Sequence, residues 1–198
     1  MANMEDLRYV RTERDIRSAF MKLVSGKSVG SVTVTALCRE ASISRNAFYL
    51  HHASIAELYA TLVSELVDDV RAESLASAER RMANGEDDAL SVAIIGALSR
   101  HEDLLRSLLP SDEGALAKCL AEGIEAAYVE AALRFGEHGG DADHRLRCAY
   151  AAWSLVGLVS RWIAETERPV DDVLALYEEI SSSVVEASAR YLMRDDAR

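Results

Sequence analysis

The chain has 198 residues, of which 49% are hydrophobic, with two prolines, three cysteines and a net charge of −11. This length allows a substantial buried core in one or two domains, and so few prolines among many Ala and Leu residues favour an almost entirely helical protein. Cys38, Cys119 and Cys148 are odd in number and widely spaced, which predicts reduced thiols rather than a disulfide framework. The charged N-terminus has no signal-like apolar segment and no apolar run is long enough to cross a bilayer, so we expect a cytoplasmic protein with no membrane partner.

The negative charge is distributed unevenly along the chain. Residues 1–60 contain eight Lys and Arg against six Asp and Glu, a net +2, and the rest of the chain carries −13. A mildly basic end on an acidic remainder suits a protein that touches phosphates with one end only. The weak excess of positive charge predicts modest non-specific affinity for nucleic acid and reliance on specific contacts.

Apolar periodicity and capping residues predict an all-α fold of about nine helices. Thr33, Ser44 and Ser54 are the expected N-caps of the second, third and fourth helices. The fourth helix is expected to belong both to an N-terminal domain, residues 1–54, and to a larger helical domain, residues 55–198. The predicted helices are Thr12 to about Ser25, the two that follow Thr33 and Ser44, Ile55 to about Met82, Ala89–Arg100, His101–Leu109, Asp112 to about Phe135, Arg145–Glu165 and Asp171 to about Met193.

Residues 33–52 carry the strongest functional signal, two short helices joined by a tight turn. The second of these helices is expected to direct polar side chains to solvent, as a helix that enters the DNA major groove does. Arg45 can bond a guanine edge bidentately and Asn46 an adenine edge, whereas Tyr49 and His51 would reach the sugar–phosphate wall. The full set of expected DNA-binding residues is Thr33, Thr35, Ser44, Arg45, Asn46, Tyr49 and His51.

Residues 33–58, TVTALCREASISRNAFYLHHASIAEL, resemble the helix-turn-helix of the TetR family of bacterial regulators. The matching positions are Thr33, Val34, Ala41, Ser44, Tyr49, His51, Ser54, Glu57 and Leu58. Ser42 stands where the family has Gly, so a residue with a Cβ is expected to adopt a positive φ. His52 replaces an aromatic residue that packs between the first and fourth helices in the family. Ala53 and Ile55 replace lysines that the family often has there, so we expect no phosphate contact from them.

The resemblance implies a homodimeric transcriptional regulator, a repressor, that binds a pseudo-palindromic double-stranded DNA operator. It also implies that the last two helices form the dimer. Small residues mixed with large ones in these helices would permit close helix packing between subunits, although part of these faces must belong to the core of the monomer. The expected interface residues are Leu146, Ala149, Trp153, Gly157, Leu176, Ile180 and Val184.

Four aromatic residues, Tyr128, Tyr150, Trp153 and Trp162, are candidates to line a pocket for a small apolar or amphipathic effector, although aromatic residues at helical spacing are more often plain core. The 137–144 loop has metal-ligand residue types, but helix termination and capping explain them better, so no metal and no cofactor are expected.

Two other functions remain open at this stage. One is a co-regulator of the same type whose C-terminal domain binds a protein rather than a small molecule. The other is a helical enzyme or carrier, but the sequence shows no phosphate loop, no Glu-x-x-His pair and no nucleophile beside a plausible base. We therefore expect no catalytic residues.

Overall fold

The computed structural model describes residues 4–25, 27–84, 90–135 and 142–180. Its regular structure in these ranges consists of helices, with short 3-10 turns at Val29–Ser31 and Val170–Asp172, so the predicted all-α fold is confirmed. The helices are α1 Met4–Val24, α2 Val34–Glu40, α3 Arg45–Tyr49, α4 Ile55–Asn84, α5 Leu90–Arg100, α6 Glu102–Leu108, α7 Ala115–Phe135, α8 Ala142–Glu165 and α9, residues 173–180.

Hydroxyl side chains begin three consecutive helices, as the sequence predicted. Thr33 Oγ1 accepts a hydrogen bond from the Ala36 amide at 3.2 Å, and Ser44 Oγ accepts one from the Ala47 amide at 3.0 Å. Ser54 Oγ accepts from the Glu57 amide at 3.1 Å. Each bond satisfies one of the amides that a helix start leaves without an intrahelical partner.

Three helix starts differ from the prediction by three residues or more, and one of them is α7, which begins at Ala115 rather than at Asp112. Helix α1 begins at Met4 rather than at Thr12. Leu7 and Val10 are exposed, so the buried periodicity that located the helix does not include its first turns. Helix α8 begins at Ala142, which places Asp143 in its first turn rather than at its N-cap. The predicted end of the last helix, near Met193, lies outside the described residues.

The core is one continuous cluster that passes from α1–α3, the head, into α4–α9, the body. In the head, Phe20 and Phe48 are fully buried, and in the body Leu105 and Ile124 are. Buried leucines of α4, including Leu58, belong to the same cluster. Because buried residues on both sides of position 54 pack together, a boundary at residues 54–55 stays a prediction.

Helices α4 and α7 approach closely at Gly123. A Cβ built there would lie 2.6 Å from Cγ1 of Val67, closer than real Cβ contacts. A side chain at position 123 would therefore require Val67 to move where these two long helices pack. None of the helices in the described ranges combines the length and apolar character needed to cross a bilayer.

Candidate nucleic-acid interface

The turn between α2 and α3 is built by a residue in the left-handed region. Ser42 has a φ of 56°, as predicted from its place in the motif. Its amide donates to the Arg39 carbonyl at 3.3 Å, and the Ile43 amide donates to the Cys38 carbonyl at 3.0 Å. This pair of bonds is a Schellman motif, which ends α2 and directs the chain into α3. The two helices of the predicted helix-turn-helix are thus connected by a defined turn.

The outer face of α3 carries three of the side chains expected to contact DNA. Arg45, Asn46 and Tyr49 are exposed, while Phe48 on the opposite face is fully buried. Arg45 Nη2 donates to Thr35 Oγ1 at 2.6 Å. The hydroxyl of Thr35 on α2 therefore fixes the position of the Arg45 guanidinium on α3. Thr33, Thr35 and Ser44 are also exposed. Six of the seven predicted residues are therefore accessible, and their contact with DNA stays a prediction.

His51 is the exception, and the prediction that it faces solvent is wrong. Its side chain is only 4% exposed and its Nδ1 lies 2.9 Å from Glu13 Oε2. Its ring stacks on Tyr9 at a centroid distance of 3.9 Å. Helix α3 ends at Tyr49, so a 3.6-residue period no longer sets the direction of His51.

His52 fills the place of an aromatic residue against α1. It is 6% exposed, and its Nε2 lies 3.0 Å from Glu13 Oε2. Phe48 lies beside it, with ring centroids 6.1 Å apart. A buried imidazole is tolerated here because a carboxylate satisfies its polar nitrogen.

Glu13 is therefore a site residue that sequence reasoning missed. Burial alone would raise its pKa, but the hydrogen bond from Arg17 and the charges of His52 and Arg17 outweigh burial, so the pKa lies below its ordinary value. The carboxylate is thus ionised at neutral pH. The sequence does not distinguish Glu13 from the other acidic residues of α1, because its histidine partners lie 38 and 39 positions further along the chain.

The four aromatic residues proposed for an effector pocket differ in their exposure. Tyr150 and Trp153 are 65% and 48% exposed on the outer face of α8. Trp162 is buried at the other end of α8, where its Nε1 donates to the carbonyls of Arg168 and Pro169. Tyr128 is half-buried, and burial raises the pKa of its phenol. A role of any of these four side chains in an effector pocket therefore stays a prediction.

A groove of about 450 Å³ lies instead where α1, α4 and the junction of α5 and α6 meet. Apolar side chains, Met21 and Leu62 among them, and the charged groups of Arg17 and Glu65 line it. His101, also in the groove, has its Nε2 3.1 Å from Asp69 Oδ2. The groove is amphipathic, and it touches both the head and the body.

The outer face of α8 is a candidate surface for a second subunit. Leu146 is 68% exposed, and Tyr150, Trp153 and Gly157 are exposed at spacings of four, three and four residues. Among the other predicted interface residues, Ala149 and Leu176 are half-buried, Ile180 is 44% exposed and Val184 lies outside the described residues. An apolar stripe at this spacing is typical of a helix that packs on another helix.

One pair of side chains differs from the expectation that no nucleophile lies beside a base. Cys148 Sγ lies 3.3 Å from His144 Nε2, so a thiol does lie beside a base. Burial, and next the charge of Glu125, raises the pKa of the Cys148 thiol. The thiol is therefore held in its protonated, weakly nucleophilic form. No group of three or more metal-ligating side chains is positioned to hold a metal ion within the described ranges.

These features define an all-α chain with a helix-turn-helix head continuous with a larger helical body. No protein-family model and no curated protein matches the chain. It is similar to the solved structure of the dihydroxyacetone kinase operon activator DhaS, with a TM-score of 0.56 and 15% identity over 89% of this chain and 95% of that one. It is also similar to the TetR family repressor AlkX from Dietzia sp. strain DQ12-45-1b, implicated in biodegradation of n-alkanes, with a TM-score of 0.48 and 18% identity over 91% and 97% of the two chains. The likeness to DhaS therefore supports the predicted all-α fold over most of the chain, at the level of the fold alone.

Proposed function

We propose that this protein is a transcriptional regulator that binds a pseudo-palindromic DNA operator as a homodimer. The observation that carries the proposal is the face of α3 on which Arg45, Asn46 and Tyr49 are exposed, with the Arg45 guanidinium bonded to Thr35. Guanidinium and amide groups are the side chains that read guanine and adenine in the major groove. We propose no catalytic activity for the chain. We also propose that the regulator acts in the cytoplasm.

Each subunit would insert α3, which we call the recognition helix, into one of two successive major grooves. Arg45 and Asn46 are proposed to contact base edges, and Thr33, Thr35, Ser44 and Tyr49 to contact the backbone. His51 is left out because its ring is enclosed by Tyr9 and Glu13. Half-sites would lie about 34–36 Å apart, or a multiple of that distance.

The exposed stripe of α8 and the exposed part of α9 support the proposed dimer. Trp153 and Gly157 would lie near the centre of this interface, because space is open around Gly157 within one subunit. The other proposed residues of the interface are Leu146, Ala149, Leu176, Ile180 and Val184. A twofold interface places the same stripe on both subunits, and both heads would face one side of the assembly with the twofold axis along the direction from body to head.

We further propose that the regulator is a repressor that responds to an amphipathic effector. The groove between α1, α4 and α6 supports this, because a molecule bound there would contact head and body together. An effector that prefers the DNA-incompetent state by about 2–3 kcal/mol would weaken operator binding by about 30- to 150-fold.

The test is selection of bound sequences from random DNA, followed by affinity measurements on the selected site. Arg45→Ala should weaken binding at least about 30-fold, because a bidentate contact contributes about 1–3 kcal/mol and a dimer makes it twice. Arg71→Ala is the matched control, since it removes an arginine from the body that pairs with Glu130. Loss of affinity in both variants, or in neither, would contradict the role of α3.

A further inference from the structure

A half-buried carboxylate joins α1 to the segment that follows the recognition helix. Glu13 Oε2 lies 2.9 Å from His51 Nδ1 and 3.0 Å from His52 Nε2. Both imidazoles are almost fully buried, and Glu13 itself is 19% exposed. The backbone of both histidines is tied to α3, because their amides donate to the Phe48 carbonyl at 2.9 Å. The position of Glu13 therefore determines where the end of α3 can lie.

The same carboxylate is connected to the body through one arginine. Arg17 Nε donates to Glu13 Oε1 at 2.6 Å. The other two nitrogens of this guanidinium donate to Glu65 on α4, at 2.5 and 2.8 Å. The hydrogen bond from Arg17 lowers the pKa of Glu65, and that to Glu65 raises the pKa of Arg17. All three groups are thus charged at neutral pH, and the contacts are charge-assisted.

The chain of contacts runs from His51 and His52 through Glu13 and Arg17 to Glu65, and it joins α1 and α4 to the segment that follows α3. A planar guanidinium that makes three bonds has one preferred geometry relative to both carboxylates. A displacement of α4 must therefore move Arg17 and Glu13, or else break these bonds. Hydrophobic contacts between α1 and α4 lack this directional geometry and would allow the two helices to slide.

We propose that Glu13 is a positioning residue for the recognition helix and that Arg17 and Glu65 couple it to α4. The inference rests on the proposed function, since it concerns how α3 is held for DNA. Glu13 touches no base or phosphate in this scheme. Its role is to make operator affinity depend on the position of α4.

The first experiment measures operator affinity after a negative charge is removed from the head. Removing a negative charge from a DNA-binding head should by itself strengthen binding. Glu13→Gln removes that charge but keeps one acceptor for three donors, so we expect operator affinity to fall on the order of 10-fold. Asp15→Asn is the control on the same helix, where Asp15 pairs with Arg11 and Arg14. It should bind the operator as well as wild type, or better.

The second experiment tests transmission from the body. Glu65→Gln changes a half-exposed side chain of α4 and should weaken operator binding at least about fivefold. It should also speed hydrogen exchange of the amides of residues 50–52 in the DNA-free protein. Glu130→Gln, which breaks an exposed ion pair between α4 and α7, should do neither. Both variants should keep the helical circular dichroism of wild type.

The outcomes separate this inference from the proposed function. If wild type selects no DNA sequence, the proposed function fails. If wild type binds its operator and Glu13→Gln binds equally well or better, only the positioning role fails. If Glu65→Gln changes exchange near residue 65 but not at residues 50–52, the coupling through Arg17 is refuted.

Discussion

Truncation of Trp153 gives the sharpest test of the proposed subunit interface. The side chain is 48% exposed in one subunit. A Trp can bury up to about 250 Å², so about 120 Å² remains available to a partner. At about 25 cal/mol per Å² this area is equivalent to about 3 kcal/mol per subunit and about 6 kcal/mol per dimer. Even if the partner covers only half of it, Trp153→Ala should raise the dimer Kd more than about 100-fold.

Sedimentation velocity over a range of concentrations measures this change directly. Leu7→Ala is the control, because Leu7 is 59% exposed on α1 in the head, outside the proposed interface. The control should associate as wild type does. A Trp153→Ala variant with the wild-type dimer Kd, or a wild type that stays monomeric at micromolar concentration, would refute the assignment of the α8 stripe to the interface.

Two further predictions concern backbone and packing, and urea titration checks both. Ser42→Gly should increase the free energy of unfolding by about 0.5–1 kcal/mol, because a residue with a Cβ at a φ of 56° is strained there. A decrease would show that the Ser42 side chain contributes more than the strain costs. Gly123→Ala should decrease the free energy of unfolding by about 1 kcal/mol, since the clash with Val67 outweighs the gain in helix propensity. Gly96→Ala, with open space around its Cβ, should instead increase it, and equal effects of the two substitutions would contradict the packing argument.

The helix-turn-helix could be predicted from the sequence because its signals are local. Thr33 and Ser44 cap the helices that follow them, and the left-handed turn at Ser42 is set by the residues around it. The length of α4 was predicted closely for the same reason, since Ser54 marks its start and no Gly or Pro interrupts it. Capping and turn formation depend on residues within a few positions, which a sequence displays directly.

The direction of side chains beyond these elements could not be predicted in the same way. His51 follows a helix of only five residues, so its contact with Glu13 depends on how α1 packs. On α8 the aromatic spacing alone does not distinguish the buried face, with Trp162, from the outer face, with Tyr150 and Trp153. These are consequences of tertiary packing between distant segments, which one sequence does not reveal.

The uninterrupted length of α4 determines how small a rotation in the body is enough to change DNA binding. Its 30 residues extend about 45 Å, and neither Gly nor Pro provides a flexible joint along them. If α4 behaves as a rigid rod, a rotation of about 5° about its far end displaces the end next to the recognition helix by about 4 Å, more than the ~3.4 Å rise of one base pair. Angular changes of a few degrees in the body are therefore large enough to put two paired heads out of phase with the double helix.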